Sequence, residues 1–85
     1  MNDEVRRRRE LRRRFLESLY EQSERGESEY QDGYALAAEL GLSRQDAERI
    51  VRYHEDHGYV RASGSHGLTV RITAQGIDHV EEGGQ

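Results

Sequence analysis

Apolar residues in this 85-residue chain occur in short runs, and the changing spacing of those runs predicts the elements. From Asp3 to about Glu24 there is no Gly or Pro, and Leu11, Phe15, Leu16 and Leu19, flanked by Tyr20, form a stripe of helical period. Continuing that stripe towards the N-terminus puts Arg8 and Arg12 in its middle. The first turns are therefore expected to project past the core, into solvent, onto a partner chain or along phosphates. The stretch from Ala35 to Val51 reads as two short helices joined by a tight turn. Leu36, Ala37 and Leu40 lie on one side of the first helix, and Gly41 stops it. Ser43 is a good N-cap for the second, and Asp46 completes a variant of the capping box. Ala47, Ile50, Val51 and His54 share one side of that second helix, which is predicted to be buried, while Gln45, Arg49 and Arg52 point the other way.

Gly58 ends the second helix, and period-two alternation follows. Tyr59 to Ala62 and Leu68 to Thr73 read as two strands around the loop Ser63 to Gly67. Taking those five residues as the whole loop pairs Ala62 with Leu68 and Val60 with Val70, which leaves one face apolar throughout. The other face then carries Tyr59, Arg61, Thr69 and Arg71, with His66 at the tip. Ser23 to Asp32 reads as a polar loop in which Glu29, Tyr30 and Gln31 can add a short strand, and Asp32 is placed to cap the helix starting near Tyr34. Thr73 opens a last short helix that folds Ile77 and Val80 back onto the core. The expected fold is one domain over residues 1–85, mainly α with a small β-hairpin, in the order α-α-α-β-β-α. Its parts are a long helix over 3–24, a helix-turn-helix over 33–58, a hairpin over 59–73 and a final helix over 74–82, with the extra strand before the second helix as an option.

Composition narrows this picture. Hydrophobic residues make up 33% of the chain and charged residues 35%, so the core is small. There is no cysteine to staple it, which fits a reducing cytosol. Net charge is −4 but uneven: residues 5–14 carry +6 and residues 26–85 carry −6. An acidic body does not attract nucleic acid by itself, so DNA binding would depend on local patches. The Arg-rich helix start can equally be a solvated surface balanced by Glu10 and Glu17. No apolar run approaches the ~18 residues of a membrane span. The segment after Arg12-Arg13-Arg14-Phe15-Leu16 is too polar for an export signal, so the expected location is the cytoplasm.

Candidate chemistry points away from catalysis. His54 and His57 flank Glu55 and Asp56, but His54 faces inward, so no metal site is expected. No nucleophile set, acid pair or phosphate-cradling Gly loop has a recognisable context; neither an enzyme nor a cofactor is expected. An outward Gln and two Arg are instead the side chains that bond adenine and guanine edges in a major groove.

At this point the sequence resembles the winged helix-turn-helix transcriptional regulators, in particular the MarR-like and PadR-like groups. The likeness rests on Ala37 and Gly41 with Leu36, Leu40, Leu42, Ala47 and Ile50 around them, on the helix exit His57 to Val60, and on Ile72 to Gly76 opening the last helix. It covers about residues 30–82. It departs at His54, where Leu is usual in those families. The resemblance implies a small regulator of transcription that binds double-stranded DNA. Gln45, Arg49 and Arg52 would read bases, Arg44 would meet a phosphate, and Arg61, Arg71 and His66 would touch the backbone or minor groove. A homodimer through the N-terminal helix, helped by the last one, would serve a two-fold site. The rival expectation is a winged helix used as a protein-interaction module, supported by the acidic body, by Glu48 beside the reading face and by Asp56 on it.

Overall fold

The first helix, α1 (Asn2–Glu24), is long because Glu, Arg and Leu are good helix formers and nothing interrupts them. Only its second half is anchored: Phe15, Leu16 and Leu19 are buried, Leu11 and Arg12 are half-buried, and every residue from Asn2 to Glu10 is exposed. Arg13 pairs with both Glu10 and Glu17 on the outer side. The computed structural model describes residues 2–26, 30–64 and 67–83. Among them the remaining elements are β1 (Gln31–Asp32), α2 (Gly33–Glu39), α3 (Arg44–Asp56), β2 (Val60–Ser63), β3 (Thr69–Ile72) and α4 (Ala74–Glu81).

The turn between α2 and α3 follows from its residue types. Gly41 takes φ +77°, its N–H donates to the Ala38 carbonyl at 3.0 Å, and the Leu42 N–H donates to Ala37 at 2.9 Å. These two bonds satisfy carbonyls that the end of α2 leaves open. Ser43 Oγ then accepts from the Asp46 N–H at 3.1 Å while the Asp46 carboxylate accepts from the Ser43 N–H at 3.3 Å, a complete capping box. The end of α3 repeats the first device: Gly58 sits at φ +77° and donates to Glu55, and Tyr59 donates to His54.

The short strand expected before α2 is present as Gln31–Asp32, and Glu29 lies outside the described residues. It pairs antiparallel with β3, giving a three-stranded sheet in the order β1-β3-β2. Asp32 ends the strand and at once caps α2, accepting from the N–H groups of Tyr34 and Ala35. The hairpin register differs from the sequence reading: Val60 pairs with Ile72 and Ala62 with Val70, two residues further along than expected. A shift of two keeps every side chain on its face, so Val60, Val70 and Ile72 are still buried. Leu68 leaves the pairing and packs its side chain over Gly33 instead, while Gly33 N–H donates to its carbonyl at 2.7 Å.

The core is a single cluster of Phe15, Leu16 and Leu19 from α1, Leu36 and Ala37 from α2, Ala47, Ile50 and Val51 from α3, and Val60, Val70 and Ile72 from the sheet. Thr73 caps α4 by accepting from the Gly76 N–H, and Ile77 and Val80 pack half-buried against the cluster. No helix among the described residues is long and apolar enough to cross a membrane.

Candidate nucleic-acid interface

The packing of α3 decides what the helix presents. Ala47, Ile50, Val51 and His54 are 0%, 7%, 2% and 3% exposed, which fixes its rotation about its own axis. Gln45, Arg49 and Arg52 are exposed on the opposite side and together line a shallow hollow of about 380 Å³. Arginine forks suit guanine edges and an amide suits adenine. Two carboxylates, Glu48 and Asp56, border the same hollow. They can accept from cytosine but repel phosphate, so the patch is mixed in sign.

Arg44 stands apart from those three. Its guanidinium carbon lies 4.1 Å from the centroid of the Tyr34 ring, a cation–π contact between the start of α3 and α2. The Tyr34 hydroxyl donates to Glu48 Oε2 at 2.6 Å, and this bond to a carboxylate pushes its pKa above the usual value. Arg44 also borders a wide cleft shared with Leu68 and Thr69 of the hairpin. A phosphate meeting Arg44 would therefore meet it between α2 and the hairpin.

The corrected register places Arg61 directly opposite Arg71. Like charges facing each other across a ladder are unfavourable, so the sheet concentrates positive charge here at some cost. Arg61 is exposed, Arg71 is half-buried, and both line a hollow that Glu55 of α3 also borders. His66, the tip residue of the sequence reading, lies outside the described residues. Tyr59 is not on the solvent face of the hairpin as expected. It precedes β2, is half-buried against the core, and is sandwiched between His57 and His79.

That sandwich belongs to a column of rings that residue spacing did not reveal. His57 and Tyr59 are stacked at 5.2 Å and Tyr59 and His79 at 4.3 Å between centroids, while Tyr53 leans on His57 at 4.5 Å with its ring tilted by 47°. The Arg12 guanidinium lies over the Tyr53 ring at 4.2 Å. Beneath it, His54 Nε2 contacts the Arg12 backbone carbonyl at 2.9 Å, so α1 and α3 are joined by a polar bond inside the core. A carbonyl only accepts, so Nε2 carries the proton and the neutral ring's Nδ1 is an acceptor. That Nδ1 is buried with no partner. Burial lowers the His54 pKa from 6.5 to about 4, opposed by the Arg12 carbonyl bond. His57, Tyr59 and His79 meet only through the tertiary fold, and no family model or curated protein matches the chain.

Proposed function

We propose that the chain is a winged helix-turn-helix protein of the MarR-like and PadR-like kind that binds double-stranded DNA sequence-specifically and regulates transcription in the cytoplasm. The observation that supports it most is the joint exposure of Gln45, Arg49 and Arg52 on a helix that is capped at its start and buried along its opposite side. The element order, with the helix pair followed directly by a hairpin bearing Arg61 and Arg71, is compatible with this layout. The test is selection from random duplexes followed by gel shift at two salt concentrations. A second reading, a protein-interaction module, is favoured by Glu48, Asp56 and the 40% exposed Tyr53 bordering the same hollow. Absence of DNA binding at both salt concentrations would decide for it.

On the selected site, Arg49→Ala and Arg52→Ala are each expected to weaken binding by roughly 1–3 kcal/mol and to relax the sequence preference. Arg61→Ala and Arg71→Ala should weaken all sequences alike and flatten the salt dependence. Identical behaviour of all four would refute the division between base readers and phosphate contacts.

The proposed regulator would dimerise through α1, helped by α4. The nine residues Asn2 to Glu10 extend the helix by about 13 Å with no core beneath them, and Val5 is 45% exposed there. Sedimentation should give a dimer for the full chain and a monomer for a variant lacking residues 1–10. A full-length monomer, or a dimer that survives the deletion, would remove α1 from the interface.

A further inference from the structure

We propose that the hollow between the Arg-rich half of α1 and the ring column beside it binds a nucleoside phosphate, its phosphate held by α1 arginines and its base stacked on the rings. This does not depend on DNA binding by the opposite side of α3; because Arg6 and Arg9 lie within the Asn2–Glu10 stretch proposed for the dimer contact, ligand binding and dimerisation through that stretch are expected to compete. The hollow is about 420 Å³, within the range of small-ligand sites. Its walls differ in chemistry. Arg6, Arg9 and Arg12 enter it from one helix at intervals of three residues, whereas Tyr53, His57, Tyr59 and His79 bring rings from three other parts of the chain.

Two of these arginines, Arg6 and Arg9, are a surplus, since the Arg12 guanidinium already lies over Tyr53. Glu10 and Glu17 also border the hollow, but Arg13 engages both. Arg6 has only Asp3 at 4.0 Å, with both side chains at least 80% exposed, and among the described residues Arg9 has no ion pair. Guanidinium forks of this kind suit phosphate oxygens. The rings are already ordered in the way stacking requires: His57 and Tyr59 lie within 10° of parallel, Tyr59 and His79 within 18°. The column ends on half-buried His79, and a base laid there continues it.

A bare carboxylate or phosphate would use the arginines and leave the rings idle. An apolar ring would do the reverse. A nucleoside phosphate uses both walls.

Calorimetric titration of the full chain with ADP, inorganic phosphate and adenosine tests this. ADP is expected to bind at least about tenfold more tightly than either fragment, as two kinds of contact are combined. Arg9→Gln, on the exposed part of α1, should weaken ADP by roughly fivefold or more. Arg14→Gln, exposed on the same helix but not bordering the hollow, should leave the affinity unchanged. His79→Ala should cost roughly tenfold; should that variant unfold, the Arg9 and Arg14 pair still decides. No heat with ADP, equal affinity for ADP and phosphate, equal effects of the two Arg variants, or binding of a single-stranded oligonucleotide without ADP would each overturn the proposal.

Discussion

Replacing Gly76 with alanine is expected to destabilise the domain by at least about 3 kcal/mol, although the same exchange at an open helical position stabilises by roughly 0.5–1 kcal/mol. The reason is space. A Cβ on Gly76 would run into the Tyr59 carbonyl oxygen and would lie 3.0 Å from its carbon and 2.8 Å from Ile72 Cγ1. Two of those atoms are backbone, so no rotamer change removes the clash, and α4 must move. Moving it strains the anchors at its start. Thr73 N–H donates to the Tyr59 carbonyl at 2.9 Å, Thr73 Oγ1 to the Gly58 carbonyl at 2.6 Å, and Gln75 Nε2 to the His57 carbonyl at 2.7 Å. It also separates His79 from Tyr59. The urea midpoint of Gly76→Ala against the parent measures the effect, and failure to fold at all is the extreme form of the same result. A midpoint equal to or above the parent's would show that α4 does not approach the start of β2 this closely.

The residues explain which parts of the fold were legible in the sequence. The rotation of α3 could be read because four inward residues repeat at helical spacing, and the caps could be read because Ser43, Asp46, Gly41 and Gly58 each satisfy a need that is local in the chain. The hairpin register was misplaced by two because alternation of period two cannot distinguish even shifts. What decided it is the role of Leu68, which closes over Gly33 rather than pairing with Ala62. Tyr59 was misplaced for a related reason: alternation assigns a face to the residue before a strand, but its ring is claimed by His57 and His79. At the candidate interface, the exposure of Gln45, Arg49 and Arg52 follows from the phase of the helix. The contact of Arg44 with Tyr34 and that of Arg12 with Tyr53 depend on how helices pack together, and no local spacing encodes that.

His54 gives the largest expected pH effect. It is 3% exposed, and burial holds its pKa near 4 in the folded chain, against about 6.5 when unfolded. The unfolded chain therefore binds a proton that the folded chain refuses. The folded state keeps its full stability above the unfolded pKa and loses it progressively as pH falls through 6.5 and down through the folded value near 4. The loss amounts to roughly 2 kcal/mol by pH 5 and roughly 3 kcal/mol by pH 4, a large share of the 5–15 kcal/mol typical of a domain. His54→Leu removes both the titration and the unpartnered Nδ1. It also removes the bond to the Arg12 carbonyl, but that carbonyl lies inside α1, where the amide four residues on can still address it. The variant should be more stable at pH 7 by about 1 kcal/mol, and its advantage should widen by roughly 2 kcal/mol at pH 5. Carboxylates elsewhere also titrate in this range, so the quantity to follow is the difference between the two proteins' unfolding free energies, measured by denaturant at each pH. A constant difference from pH 7 to pH 4 would mean that His54 takes up its proton in the folded state as readily as in the unfolded one. The polar bond joining α1 to α3 would then face water, and the rotation of α3 that exposes Gln45, Arg49 and Arg52 would lose its support.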